Sequence, residues 1–232
     1  MSEFWTGDLN EPYAFDADIG FYDTTLRDGE QTVGVVLAPE DKLELARGLD
    51  ALGIERIEAG FPRVSDEDRR AVELIVNAGL AAEIWGFSRA VTADAETLVE
   101  VGVRASVIES PISDLKLDAL GVSRDEMAER IRKAVSFAAA HDITVAYFGV
   151  DSTRADRAYY ERVYKTAVDA GAREVAVVDT LGIATPEAVA ELVGHTRDWV
   201  GPGVPVHFHG HNDFGLATAG AIAAARAGAR WI

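Results

Sequence analysis

A chain of 232 residues with 48% hydrophobic and 26% charged residues has the composition of a globular protein of one large domain or two small ones. It has no apolar run of about 18 residues and no basic-then-apolar start, so neither a membrane span nor a secretory signal is predicted. The net charge of −17 argues against a nucleic-acid partner, and the absence of cysteine excludes disulfides and thiolate ligands. We therefore expect a cytoplasmic protein that binds neither nucleic acid nor membranes.

One local pattern recurs along the chain: a helical stretch ends in glycine, and a short apolar run follows it. Glycine at this position ends a helix in the left-handed conformation, after which the chain turns into a strand. The glycines of the five joints are Gly53, Gly79, Gly102, Gly171 and Gly228. Such alternation of helices and strands predicts a parallel sheet, either open or closed.

The predicted strands lie near residues 20–22, 56–59, 83–87, 105–109, 144–148, 174–178 and 205–209. An eighth strand begins at Trp231, one residue before the sequence ends. Helix starts are also recognisable, at the capping box that begins with Ser123 and at Thr185 before a first-turn proline. This order predicts an α/β fold, a (β/α)₈ TIM barrel that lacks most of its eighth strand and helix.

A doubly wound sheet is the alternative fold, but no glycine-rich phosphate fingerprint follows the first strand. The expected domains are an N-terminal extension at residues 1–18 and a TIM-barrel catalytic domain, incomplete at its C-terminus, at residues 19–232. The extension is acidic with scattered aromatic residues, and we expect it to cover the bottom of the barrel.

Polar side chains follow the predicted strands, where barrel enzymes carry their chemistry. His209 and His211 are two residues apart on a strand and therefore face the same side. Two imidazoles and a carboxylate from another strand suit a divalent transition metal, and Asp28, beside Arg27 in a polar loop, supplies the anion. The alternative is a set of hydrogen-bonded polar residues at the mouth. His207 is deeper on the same face, where we expect a packing or hydrogen-bonding role.

At these residues the sequence resembles a known family. Residues 22–31, YDTTLRDGEQ, and residues 209–219, HGHNDFGLATA, resemble the two signatures of the isopropylmalate synthase and homocitrate synthase family. Residues 110–114 and 179–182 also fit. The likeness runs from about residue 18 to the end, and it is closest to the nitrogen-fixation type of homocitrate synthase.

The resemblance implies a Claisen-type condensation. Asp28, His209 and His211 would hold a divalent cation, which is Zn, Mn, Mg, Fe or Co. An acyl-CoA, usually acetyl-CoA, would lose a methyl proton and attack the keto carbon of a 2-oxo acid, and thioester hydrolysis would release CoA. The metal would act as a Lewis acid on the keto group.

The resemblance also assigns roles to side chains near the metal. Arg27 would stabilise the developing oxyanion, and Glu58 would assist as a second catalytic residue. Gln31 and Thr180 would bind the 2-oxo acid, and Arg89 is a further candidate for substrate binding.

Two positions bear on which 2-oxo acid is the substrate, and they leave its identity open. Homocitrate synthases of the lysine pathway place His and Arg about where Phe87 and Ala146 stand. A second substrate carboxylate needs such cations. Their absence argues against 2-oxoglutarate unless Arg89 or Arg154 substitutes for them.

The sequence departs from the family pattern in three ways. Val150 stands where the family often has Glu, and the sequence stops at Ile232, before a glycine-rich motif with an Asn that completes the site. The helical region through which such synthases supply a catalytic His across a homodimer also lies beyond Ile232. We therefore expect a homodimer, and weak activity without those segments. A lyase or aldolase on the same metal site, and a non-catalytic or truncated barrel, are the alternatives.

Overall fold

The computed structural model describes residues 18–232, and the predicted N-terminal extension lies almost wholly outside them. Strands and helices alternate as the sequence predicts. The strands are β1 (Tyr22–Asp23), β2 (Arg56–Glu58), β3 (Glu83–Arg89), β4 (Ala105–Pro111), β5 (Thr144–Val150), β6 (Glu174–Asp179) and β7 (Val206–Gly210). The helices of the described residues are α1 (Pro39–Ala51), α2 (Asp66–Val76), α3 (Thr92–Glu100), α4 (Asp114–Leu120), α5 (Arg124–Ala140), α6 (Arg157–Asp169), α7 (Pro186–Val200) and α8 (Ala217–Arg226).

The seven strands form one parallel sheet in which each strand pairs with its neighbour in sequence, from β1 to β7. This order confirms the barrel topology and excludes the doubly wound alternative, in which the strand order reverses. Strands β3, β4 and β5 run two residues further than the sequence predicts. Their ends pair across the sheet, Arg89 with Glu109 and Pro111 with Val150, so the ladder continues where we expected loops.

The helix boundaries follow from local chemistry. All five joint glycines have positive φ, between 68° at Gly79 and 113° at Gly171, which confirms the predicted helix ends. At the predicted starts, the Ser123 hydroxyl accepts a hydrogen bond from the Glu126 amide at 3.2 Å, and Thr185 caps α7 in the same way. Among the helices of residues 18–232, none has both the length and the apolar character to cross a bilayer.

Residues 230–232 lie between β7 and β1, at the position of an eighth strand. The Gly20 amide donates to the Arg230 carbonyl at 2.9 Å, and the Ile232 amide donates to the Gly20 carbonyl at 3.1 Å. On the other side, the Phe208 amide donates to the Trp231 carbonyl at 2.9 Å. The predicted start of the eighth strand is confirmed, and it joins the two edges of the sheet near the base of the barrel. The predicted contact of the N-terminal extension with this region lies outside the described residues.

Two apolar layers result from the alternation of side chains along the strands. The inner layer fills the lumen with nine residues: Tyr22, Trp85, Phe87, Ala105, Val107, Ala146, Phe148, Ala176 and Val178. The outer layer packs the opposite face of the strands against the helices, through residues such as Ile57, Val145 and Val175. The lumen is therefore a packed core below its mouth.

A buried polar cluster lies at the base of the lumen. Arg56 donates two hydrogen bonds to Glu174, at 2.7 and 3.0 Å, and His207 Nε2 lies against the same carboxylate. The Arg56 guanidinium is also stacked between Trp85 and Trp231, at 4.6 and 3.6 Å from the ring centres. The predicted hydrogen-bonding role of His207 is confirmed.

Burial opposes the charge of Glu174, but hydrogen bonds from His207 and Arg56 outweigh it and lower the pKa of Glu174 from 4.5 to about 2. Burial lowers the pKa of His207 below 6.5, so we take the imidazole as neutral, with Nε2–H donating to Glu174. Because the pKa of Glu174 is lowered in the folded state, its charge stabilises the fold above pH 4.5. That contribution is lost as the pH falls towards 2.

We predict that Glu174→Gln lowers the free energy of unfolding at pH 7 by roughly 1–3 kcal/mol, because Arg56 and His207 lose the buried carboxylate that they share. Arg56 then keeps only its ion pair with the half-exposed Glu83, at 2.8 Å. Urea unfolding at a series of pH values measures this effect. The difference from the wild type should shrink as the pH falls from 4.5 towards 2, where Glu174 takes up a proton. The exposed Glu191→Gln serves as the control and should change little. A difference that is constant over this pH range would contradict the prediction.

Candidate metal centre

The loop after β1 places the first polar residues at the mouth of the barrel. The amides of Arg27, Asp28 and Gly29 all donate to the Thr24 carbonyl, at 2.8 to 3.1 Å, which folds the chain back into a tight turn. A short 3₁₀ turn, Gly29–Gln31, follows directly. This geometry directs Arg27 inward and sets Asp28 beside it, within reach of β7.

The end of β7 brings the two histidines to the same place. His209 Nε2 lies 3.2 Å and His211 Nε2 lies 3.6 Å from one oxygen of Asp28. The three ligand atoms all lie within 4.8 Å of one another. Among the described residues 18–232, this is the one group of three or more His, Asp or Glu side chains whose ligand atoms lie so close together. The structure thus brings together the three residues that the sequence predicts as metal ligands.

The electrostatics of the cluster suit a cation. The hydrogen bond with His209 is the main cause that lowers the pKa of Asp28, to about 2, against the opposing effect of burial and with help from Arg27. Asp28 is therefore an anion at neutral pH. Two imidazole nitrogens and one carboxylate oxygen match the donors that Zn²⁺, Mn²⁺, Fe²⁺ or Co²⁺ prefer. The side chains of Asp28 and His209 are only 17% exposed, and His211 is 39% exposed, so the cluster opens towards solvent on one side.

Arg27 is held rigidly beside the cluster. Its Nε donates to Glu58 at 2.6 Å, its Nη2 donates to the other Glu58 oxygen at 3.4 Å, and its Nη1 donates to Asp28 at 3.1 Å. The guanidinium also covers the Phe87 ring, at 4.4 Å. Burial opposes its charge, but Glu58 outweighs that effect and raises the pKa of Arg27. The result is a fixed cation whose position depends on Glu58.

Thr180 lies one residue beyond β6, and its hydroxyl oxygen accepts a hydrogen bond from the Asp151 amide at 2.8 Å. The Thr180 proton therefore stays available for another acceptor. Asp151 itself is buried in the left-handed conformation, with φ of 70°, and its carboxylate binds Arg154 and Ser113. This small network fixes the position of the Thr180 hydroxyl oxygen, and two of its members, Asp151 and Ser113, lie outside the set that the sequence predicts as the site.

The other two predicted substrate residues lie further out. Gln31 is exposed and lines a cavity of about 730 Å³ together with Asp28 and His211. Arg89 donates two hydrogen bonds to Asp94, at 2.7 and 3.1 Å, and its side chain is 58% exposed. The structure thus leaves Gln31 adjacent to the metal cluster and holds Arg89 at the rim.

Glu109 is a residue of the mouth that the sequence analysis missed. It follows Ala105 and Val107 on the inward face of β4. Its charge interacts with Arg27, Glu58, His209 and Asp28, which places its carboxyl among the site residues. A charged residue in step with an inward apolar series was the signal that could have identified it.

Known proteins resemble this chain over the residues that form the barrel and its mouth. The HMGL-like family model matches residues 18–232. The chain is 43% identical over 212 residues to a homocitrate synthase of Methanopyrus kandleri, with 91% of this chain and 53% of that protein covered. It is 40% identical over 214 residues to a 2-isopropylmalate synthase of Methanocaldococcus jannaschii, with 91% of this chain and 40% of that protein covered. The chain thus spans about half the length of the curated relatives it matches.

Among solved structures, hydroxymethylglutaryl-CoA lyase from Pseudomonas aeruginosa superposes with a TM-score of 0.80 at 21% identity, covering 93% of this chain and 75% of that one. This likeness confirms the TIM-barrel fold. The resemblance to isopropylmalate and homocitrate synthases is confirmed by the relatives, while the finer likeness to the nitrogen-fixation type stays a prediction. A family match over the whole described chain, and a mouth that carries the two signatures, identify this chain as a member of the HMGL-like family.

Proposed function

We propose that this chain is the catalytic barrel of a metal-dependent synthase that condenses acetyl-CoA, or another acyl-CoA, with a 2-oxo acid. One water hydrolyses the thioester of the condensed intermediate, and the products are a 2-hydroxy-2-alkyl dicarboxylic or tricarboxylic acid and CoA. The observation that carries the proposal is the convergence of Asp28, His209 and His211 beside the buried Arg27. The curated relatives named above are synthases of this type, which supports the same reaction class here.

Each residue of the mouth would have a separate role in such a reaction. A bound divalent metal supplies Lewis-acid polarisation of the keto group. Arg27 offers a pre-positioned cation to the oxyanion that forms when the keto carbon is attacked. Glu58 acts through Arg27, because it binds two nitrogens of the guanidinium. The hydroxyl hydrogen of Thr180 and the side-chain amide of Gln31 are available to donate hydrogen bonds to the carboxylate of the 2-oxo acid.

A lyase on the same metal site is the alternative reaction. Its support is the superposition on a lyase at 21% identity, which concerns the fold alone. The 43% identity to a synthase weighs more, because it includes the sequence of the site. The synthase is therefore the better-supported proposal. The homodimer and the cytoplasmic location stay predictions.

For the metal, we predict that Asp28→Asn weakens Mn²⁺ binding by about 100-fold, because it removes the single anionic ligand of the cluster. Calorimetric titration of Mn²⁺ into the purified chain measures the affinity. Asp198→Asn removes the same charge from an exposed position on α7 and should leave the affinity unchanged. Equal affinities of the Asp28→Asn variant and the wild type would rule out the assignment.

For the reaction, we predict that CoA is released from acetyl-CoA only when metal and a 2-oxo acid are both present. A thiol reagent follows the release across a panel of 2-oxo acids. Cleavage of a 3-hydroxy-3-methylglutaryl thioester without any release that depends on a 2-oxo acid would support the lyase instead.

For Arg27, we predict that Arg27→Lys lowers this CoA release by roughly 100-fold, because lysine keeps the charge but loses the fork that Glu58 and Asp28 hold. Mn²⁺ affinity should change far less than turnover. The exposed Arg47→Lys on α1 is the matched control. Turnover equal to that of the wild type would contradict the assigned role.

A further inference from the structure

The wall of the mouth opposite the metal cluster is apolar. It is formed by inward residues of β3, β4 and β5, and Phe87, Val107, Ala146 and Phe148 on it are all less than 5% exposed. Phe148 lies 6.1 Å from His209, measured between ring centres, so this wall faces the metal cluster across the lumen. A ligand held at the metal cluster would therefore lie above this packed layer, at the level of the next inward side chains on the same strands.

One charged group interrupts this wall at its upper edge. Glu109 pairs with Arg89 on β3 and with Phe148 on β5, and it is in step with the inward Val107. Glu109 as a residue is half-buried. In the part of the chain that the structure describes, no donor hydrogen-bonds to that carboxyl and no cation lies within ion-pair distance of it. Glu109 thus presents an unpaired acid to the lumen.

The surroundings of Glu109 already disfavour negative charge. Burial is the main cause that raises the pKa of Glu109, and Glu58 and Asp28 raise it further, although Arg27 and His209 act in the opposite direction. Another anion brought to this position would face the Glu109 carboxylate or force it to take up a proton. Either outcome costs binding free energy.

The arginines at the strand ends are not free to compensate. Arg27 is shared by Glu58 and Asp28, Arg89 is held by Asp94, and Arg154 binds Asp151 through two nitrogens. A second substrate carboxylate would have to compete with a carboxylate of the protein for each of them. Neither Arg89 nor Arg154 is therefore a ready substitute for the missing cations of the apolar wall.

We propose that the 2-oxo acid that binds in this mouth carries a single carboxylate and an uncharged side chain, and that Glu109 is the residue that rejects a second carboxylate. The inference rests on the proposed function, because it takes the 2-oxo acid to be bound at the metal cluster. It goes further in naming the substrate class and the residue that selects it.

The test compares two ligands with the same five-carbon chain, 2-oxopentanoate and 2-oxoglutarate, which differ by the terminal carboxylate. Each is titrated calorimetrically into the chain loaded with Mn²⁺, at about 0.15 M salt so that long-range charge effects are screened. The wild type should bind 2-oxopentanoate at least about tenfold more tightly than 2-oxoglutarate. In Glu109→Gln, which keeps the shape and removes the charge, this ratio should fall by about tenfold through tighter binding of 2-oxoglutarate.

Glu96→Gln, at an exposed position on α3, removes one negative charge elsewhere and should keep the wild-type ratio. Equal or tighter binding of 2-oxoglutarate by the wild type would overturn the inference, and so would an unchanged ratio in Glu109→Gln. Lys116, which lines the same cavity as Glu109 and Arg89, would then be the first cation to examine. Failure to bind Mn²⁺, or failure of the loaded chain to bind either acid, would overturn the proposed function as well, so the two failures are distinguishable.

Discussion

The arrangement of the mouth depends on one buried guanidinium, that of Arg27, which Glu58 and Asp28 share. The contact joins the loop after β1 to the end of β2, and it fixes the carboxylate that faces His209. Two acids around one arginine leave the group with a negative charge before any ligand arrives, and a bound divalent cation would reverse that sign. Because charged groups are costly to bury, such a set is better explained by binding than by stability.

The lumen is organised in polar and apolar layers. Arg56, Glu174 and His207 close the base, an aromatic layer that includes Tyr22 and Trp85 lies above them, and the residues of the proposed site lie at the top. The aromatic layer keeps water from the base and limits how deep a ligand can enter. A small acid bound as proposed would therefore stay in the mouth, between β7 and the wall formed by β3 to β5.

The overall charge of −17 makes the local cations decisive for an anionic substrate. In the proposed reaction, Arg27 and the metal would attract the carboxylate and the keto oxygen, while Glu109 would oppose further negative charge on the far side. Selectivity in such a site comes from repulsion as much as from attraction. This division of charge across a narrow lumen would let closely similar barrels differ in substrate through single residues of the wall.

The sequence by itself determined the order of strands and helices, since the five joint glycines must take positive φ and the apolar runs between them must be buried. It also predicted that Asp28, His209 and His211 form one cluster, because the carboxyl ends of the parallel strands of a barrel lie at the same rim. Only the tertiary structure decided which charged side chains of the mouth are held in ion pairs. The pairing of Arg89 with Asp94, and of Arg154 with Asp151, depends on how loops and helix starts pack.

Glu109 illustrates the same limit. Its inward direction is implied by the period of the strand, yet the sequence does not show that the charges of Arg27 and His209 act on it. Nor does the sequence show that no cation of residues 18–232 forms an ion pair with it. Closure at Trp231 likewise required the positions of both β1 and β7. Local patterns determine backbone direction because they act through neighbouring residues. The charge state and the selectivity of the mouth arise from groups far apart in the chain, and only the closed barrel brings them within a few ångströms.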